Sequence, residues 1–220
     1  MLKLDGINKT YKSKKVFNKA HFVAKNGEIT LLLGKSGSGK STLLDIISGI
    51  KQFDSGNYYV NDTLIVSDDD DFMSNFRNRE IGYILQDFAL INDYSVLDNI
   101  ILPSFYNDKY TRKEIEKKAK SFASEFGISE VLEKKVKHIS GGQKQRVAII
   151  RSLILNPNII LADEPTTNLD SENFTFIMEI FKKLKKENKI VIIATHDNRI
   201  MKIADKLYKI NHYKIEEVPL

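Results

Sequence analysis

The chain of 220 residues contains no cysteine. That excludes a disulfide framework, a thiolate metal site and a cysteine nucleophile, and it agrees with a reducing compartment. Long apolar runs are also missing: the longest, such as residues 190–194, stop far short of the roughly 18 residues that a membrane span requires. The opening Met1-Leu2-Lys3-Leu4-Asp5-Gly6 has no apolar signal core. The expectation is a chain that stays in the cytosol unless a partner carries it to a membrane. Internal repeats, low-complexity linkers and sustained heptads are absent as well, so one continuous unit is expected. With 42% hydrophobic and 29% charged residues, it has enough chain for a substantial core. The net charge of +5 comes mostly from lysines scattered along helical stretches, such as Lys117-Lys118 and Lys182-Lys183. This reads as a solvated surface, and no nucleic-acid partner is expected. The one dense acidic run, Asp68 to Asp71, reads as an exposed loop.

Three strand-like runs stand out at residues 29–33, 158–162 and 190–194. They are short, β-branched and continuous rather than alternating, as strands covered on both faces of a parallel sheet should be. Helical pattern flanks each, so the expected class is α/β. The chemically interesting residues lie just past the end of each run, where open α/β sheets place their ligands. Residues 2–9, 15–23 and 56–66 read as shorter, interrupted strands of a small antiparallel layer. Residues from about 88 to 140 read as helical. Ser95…Asp98 and Thr111…Glu114 both have the capping-box form. Ile115, Ala119, Phe122, Ala123 and Phe126 would make one helix face, ended by Gly127. Ser171 is the expected opener of a later helix with the stripe Phe174, Ile177, Met178, Phe181 and Leu184.

The sharpest motif follows the first strand. Gly34-Lys35-Ser36-Gly37-Ser38-Gly39-Lys40-Ser41-Thr42 fits G-x-x-x-x-G-K-[ST] at every fixed position. Its glycines let successive backbone N–H groups face phosphate oxygens. Lys40 can reach the terminal phosphates, the Ser41 hydroxyl can ligate Mg²⁺, and the next helix offers its positive dipole end. Asp163 and Glu164 end the second run. Two carboxylates at one strand tip divide into an ion holder, Asp163, and a residue that orients and deprotonates water, Glu164. Some hundred residues after the phosphate loop, Ser140-Gly141-Gly142-Gln143 opens another helix with bare N–H groups. One nucleotide pocket has no need of this second anion-binding start. The pair of glycine motifs therefore points to ATP cleavage by one half of a pair.

The full ordered set resembles the nucleotide-binding subunit of an ATP-binding cassette (ABC) transporter over essentially the whole chain. It comprises the phosphate loop, Gln86, Ile139-Ser140-Gly141-Gly142-Gln143, Leu161-Ala162-Asp163-Glu164-Pro165, Asn168-Leu169-Asp170 and His196. The resemblance implies a P-loop NTPase core with a mostly parallel sheet, an antiparallel β layer and an inserted helical subdomain. Residues 1–87 and 152–220 would be the catalytic lobe and about 88–151 the subdomain. It implies adenine stacking by Tyr11, Mg²⁺ contact by Gln86 beside Ser41 and Asp163, a loop closed by Asp170, and a γ-phosphate contact by His196. Ser140 to Gln143 of one subunit would cover the phosphates held by residues 34–42 of the other in a head-to-tail dimer. Departures are small: Ile139 stands for the usual leucine, Lys35 for a common proline and Thr167 for a common glycine.

Residues 79–88, 96–100 and Leu102-Pro103 resemble the lipoprotein-releasing, macrolide-export and antimicrobial-peptide-resistance group, whose ATPases serve separate membrane subunits. The permease is expected near the Gln86 loop, where Phe88, Leu90, Ile91 and Tyr94 are too apolar for an idle surface. The competing readings are a soluble ABC ATPase of macromolecular or iron–sulfur assembly and a P-loop kinase or GTPase. The last leaves Ser140 to Gln143 without a purpose.

Overall fold

The structure, a computed structural model, describes residues 1–65, 69–167 and 169–220. Two antiparallel strands, β1 (Leu2–Tyr11) and β2 (Lys14–Ala24), open the chain. Strand β3 (Glu28–Leu33) then runs through the glycine loop into helix α1 (Lys40–Ile47). The stretch 56–66, expected as one strand, is instead a hairpin of β4 (Ser55–Val60) and β5 (Thr63–Leu64). It reverses at Asn61 and Asp62, whose φ angles are 48° and 62°. Asn and Asp tolerate that left-handed backbone better than most side chains, and two such residues in a row make a tight turn. Val66 lies outside the described residues. Strands β2, β1, β4 and β5, in that order, form the antiparallel layer.

From Asp69 onward the acidic run is a helix start and not a loop. Asp69 caps helix α2 (Asp70–Glu80), accepting the Phe72 N–H at 2.9 Å, and Asp70 and Asp71 fill the first turn. Negative charge is favoured there by the unpaired N–H groups and the helix dipole. Asp68 lies outside the described residues. The short strand β6 (Ile81–Ile84) follows directly.

Helices α3 (Val96–Ile101), α4 (Arg112–Glu125) and α5 (Gly141–Leu153) come next, with 3₁₀ turns between them. Thr111 and Glu114 make the full capping box: the Glu114 N–H donates to the Thr111 hydroxyl oxygen, and the Thr111 N–H donates to Glu114 Oε2 at 2.8 Å. Ser95 makes half of one. It accepts the Asp98 N–H at 3.0 Å, but the shorter Asp98 side chain takes the Ser95 hydroxyl proton rather than its N–H. On α4 the residues Ile115, Ala119 and Ala123 are buried, as is Phe126 just beyond, with Phe122 half-buried. Gly127, at φ 63°, ends the helix while the Ile128 N–H returns to the Ala123 carbonyl at 2.8 Å.

The remaining elements are β7 (Ile159–Asp163), α6 (Ser171–Lys186), β8 (Ile190–Ala194), β9 (Lys206–Asn211) and β10 (Lys214–Val218). Asp170, not Ser171, caps α6, whose buried stripe is Ile177, Met178, Ile180, Phe181 and Leu184. Phe174 keeps to the stripe but is only half-buried against that core, with its ring centre 4.2 Å from the Arg199 guanidinium carbon. Among the described residues no helix is long and apolar enough to cross a membrane.

The main sheet has the order β10-β9-β3-β8-β7-β6, parallel from β9 to β6 with β10 antiparallel at its edge. Every residue of β7 and β8 is buried. Ile159, Leu161, Ile190 and Ile192 face α1 and the antiparallel layer, whereas Ile160, Ala162, Val191 and Ile193 face the helices. Each such isoleucine contributes about 1.5–3 kcal/mol of burial. The parallel register decides where the site forms. Leu32 and Asp163 both lie opposite Ala194, and Ala162 lies opposite Ile84. The glycine loop, Gln86, Asp163-Glu164 and His196 therefore leave the same edge of the sheet at the same level.

Candidate active site

Past Leu33 the chain turns tightly, with the Ser38 N–H donating to the Lys35 carbonyl at 3.1 Å. Gly39 precedes α1 at φ 110°, and a Cβ there would sit 2.9 Å from Val16 Cγ1 of β2. Only glycine satisfies both constraints. Lys40 is 8% exposed and its ammonium donates to the Gly34 carbonyl at 2.9 Å, so the lysine closes the loop on itself.

A cleft of about 640 Å³ opens over this loop. Tyr11, Gly34, Lys35, Ser36, Gly37, Gly39, Lys40, Ser41, Thr42, Gln86, Asp163, Glu164 and His196 line it, joined by Lys14 and Val16, which no motif singles out, and by Thr167, noted above only as a departure from the family pattern. Ser38 lines the adjoining groove toward β9 and β10, and its buried hydroxyl has no partner among the described residues. Tyr11 stands at the rim, with the Lys9 ammonium 4.9 Å from its ring centre. The Lys51 ammonium lies 5.7 Å from the same centre, so the ring sits in a cationic setting, and its π-system has the chemistry to stack a base.

Asp163 is 6% exposed, and its Oδ1 is buried without a hydrogen-bond partner among the described residues. Burial pushes its carboxyl above the usual carboxylate range, against the hydrogen bond from Ser41 that pulls it down. A buried carboxylate with a free oxygen beside a serine hydroxyl fits a divalent cation. No cluster of three or more His, Cys, Asp or Glu capable of holding a metal exists among the described residues. Magnesium here would therefore take its other ligands from phosphate oxygens and water, the usual arrangement for that ion.

Glu164 takes a left-handed φ of 48° and donates its N–H to the Ala194 carbonyl at 2.8 Å. This bond ties the tip of β7 to that of β8 and sends the side chain into the cleft. Glu164 Oε2 lies 2.9 Å from His196 Nδ1 and accepts the His196 N–H at 3.3 Å; Oε1 lies 3.6 Å from the Lys40 ammonium. With Nδ1 held by the carboxylate, Nε2 of the largely exposed ring is left to face outward. Next door, Thr166 donates to Asp197 at 3.0 Å, joining the loops after β7 and β8. The Arg199 guanidinium holds the Asp197 carboxyl down to about 2.

Ser140 to Gln143 and Asp170 do not line the cleft. Ser140 caps α5, accepting the Gln143 N–H at 3.3 Å, while its own N–H donates to Gln143 Oε1 at 3.0 Å. Two donors are thus used within the chain, and the first-turn amides of Gly141 and Gly142 are those without an intrahelical partner. A Cβ built on Gly141 would meet nothing within 4 Å. Asp170 accepts from the Asn173 N–H at 2.8 Å and from its side-chain amide at 2.9 Å, and the first of these holds its carboxyl below the usual range. Arg146 of α5 donates to that same Asn173 at 2.9 Å. Gln145, buried on α5, donates to the Pro165 carbonyl just past Glu164. Gln145 and Arg146 are contacts that sequence reasoning misses, because their partners are twenty or more residues away and include backbone carbonyls.

Comparison with known proteins agrees with this geometry. A family model described as ABC transporter matches residues 17–167. The chain is 35% identical over 220 residues to the lipoprotein-releasing system ATP-binding protein LolD of Buchnera aphidicola, covering 98% of this chain and 96% of that one. It is 38% identical over 210 residues to the ABC transporter ATP-binding protein YvrO of Bacillus subtilis, covering 94% and 91%. Among solved structures it is similar to the dimeric bacterial ABC transporter cassette MJ0796, at 33% identity and a TM-score of 0.91 with both chains fully covered. It is equally similar to that cassette in a post-hydrolysis state bound to ADP and Pi. With a phosphate loop, two carboxylates and a histidine at one sheet edge, a capped Ser-Gly-Gly-Gln helix start apart from them, and these relatives, the chain belongs to the ABC transporter family as one of its ATP-binding subunits and is an ATPase.

Proposed function

We propose that two copies of this chain pair head to tail and hydrolyse Mg-ATP. Each cleft would be completed by the Ser140 to Gln143 helix start of the other copy. The observation that carries the pairing is Gly141: its backbone is ordinary helix, the space around it is open, and nothing among the described residues calls for glycine there. Close approach from outside does. In the paired cleft Lys40 and the loop amides would hold the phosphates, Tyr11 would stack the adenine, and Ser41, Asp163 and Gln86 would hold the metal. Magnesium, when bound, would neutralise charge on the phosphate oxygens. Glu164 orients the attacking water and takes its proton, and His196, fixed through Nδ1, meets the γ-phosphate. Catalysis here is positioning and charge neutralisation. Residues 1–87 and 152–220 act as the catalytic lobe and about 88–151 as the helical subdomain.

The pair would work on the inner face of the cell membrane, driving separate membrane subunits. The likeness to ATP-binding proteins named for lipoprotein release favours export or membrane extraction of a lipid, peptide or antimicrobial cargo. Ile91 and Tyr94 are exposed a few residues after Gln86, which supports docking of the permease there. Phe88 and Leu90 are half-buried, and Leu90 packs against the core of the lobe. The test is Glu164→Gln. It should bind nucleotide, lose turnover and accumulate an ATP-dependent dimer in light scattering. Turnover at the wild-type rate would remove Glu164 from its role.

A further inference from the structure

Arg151 lies about three turns along α5 from the Ser140 cap. Its guanidinium spans two successive backbone carbonyls, Nη1 donating to Ala89 and Nη2 to Phe88, each at 2.6 Å. Both residues are left-handed, with φ of 63° at Phe88 and 45° at Ala89, and neither is glycine. Side chains with a Cβ disfavour that backbone, so it persists only where the surroundings hold it. Two left-handed residues in a row turn their carbonyls the same way, and a planar fork of N–H donors matches such a pair where a single ammonium does not.

Gln86 sits inside the segment held in this way. The Phe88 N–H donates to the Leu85 carbonyl at 3.0 Å, closing a turn with Gln86 at its second position. On the near side, β6 is pinned by the pairing of Ile84 with Ala162. Farther along, the loop is pinned separately by the fully buried Asn99, which accepts the Ile91 N–H at 2.8 Å and donates to the Ile91 and Ser95 carbonyls. Between these two anchors, Arg151 holds the backbone next to Gln86.

We propose that Arg151 is a positioning residue for Gln86: it shapes the loop so that Gln86 enters the phosphate cleft. The inference rests on the Mg-ATPase reading given above and adds to it the residue that fixes the path of the Gln86 loop.

A double-mutant cycle tests it, with steady-state turnover, half-saturating Mg²⁺ and equilibrium ATP binding measured for wild type, Arg151→Lys, Gln86→Ala and the double variant. Arg151→Lys should bind ATP as wild type does, lose roughly tenfold to a hundredfold in kcat, as small misplacements in an active site do, and need more Mg²⁺. The double variant should be no worse than the weaker single one, because both changes act through one side chain. Where Arg151→Lys does not fold, Arg151→Gln, whose amide stops short of both carbonyls, should show a loss of the same kind. Wild-type kcat and Mg²⁺ dependence in the Arg151 variants, or losses that multiply in the double variant, overturn the inference while leaving the ATPase reading intact. A wild-type chain without Mg-dependent turnover overturns both.

Discussion

Gly141→Asp is expected to move stability and activity in opposite directions. Replacing a helical glycine stabilises by about 0.5–1 kcal/mol through the unfolded chain's entropy, and the first-turn position places that figure near its lower end. A carboxylate at a helix N-terminus adds about 0.3–1 kcal/mol. Nothing opposes these gains, since a Cβ at 141 would meet no atom within 4 Å. The isolated chain should therefore gain about 1 kcal/mol, which for a domain of this size is a rise of about 2–4 °C in Tm. In the paired cleft the same carboxylate would face a triphosphate. Two like charges 4 Å apart repel by about 4 kcal/mol at an effective dielectric constant of 20, so ATP-driven pairing should weaken by about a thousandfold. Differential scanning fluorimetry without nucleotide reads the first effect, and light scattering in a Glu164→Gln background reads the second. A lowered Tm would mean that the chain itself needs glycine at 141. Undiminished pairing and turnover would mean that no phosphate comes near it. Either result refutes the reasoning.

Two further outcomes follow from the carboxylates. Because burial raises the Asp163 carboxyl, the folded chain binds its proton more tightly than the unfolded chain, and stability falls as pH rises through that range. Asp163→Asn should therefore melt higher than wild type at pH 7 in the absence of metal while losing Mg-dependent turnover; a lower Tm would contradict the burial argument. Asp197 has the opposite sign: its carboxyl is held at about 2 instead of 3.8, so its contribution is fully present above pH 4 and is lost as pH falls toward 2. The Tm deficit of Asp197→Asn, clear at pH 6, should shrink across that window in thermal melts. A deficit that stayed constant down to pH 2 would exclude the Arg199 and Thr166 contacts as its source.

Much of the site was legible because its parts are local. The strand 29–33 and its glycine loop form one contiguous signal, as do Ile159–Asp163 with Glu164 and Ile190–Ala194 with His196, and parallel register then aligns their tips. The signals that misled were ones where the same residues suit two conformations. Asp69 to Asp71 satisfy a helix start as well as a loop, and Asn61-Asp62 reverses a strand that composition alone would continue. The hairpin of β9 and β10 is broken up by lysines and glutamates, so Leu207, Ile210 and Ile215 give too sparse a pattern to read as sheet. Arg151, Gln145 and Arg146 were beyond reach for another reason. Their partners include main-chain carbonyls, which every residue carries, and only the folded path reveals which ones are near.

The sheet order also says when, during synthesis, the nucleotide cleft can exist. β3, which carries the phosphate loop, is made near the start of the chain, but its flanking strands in the sheet are β8 and β9, both from the last quarter of it. Until residue 211 has left the ribosome, the strand under the loop is missing at least one neighbour, and long-range pairings of this kind close late and slowly. Nascent chains stalled short of that point should fail to retain ATP, so capacity to hold nucleotide doubles as a certificate that translation has passed β9.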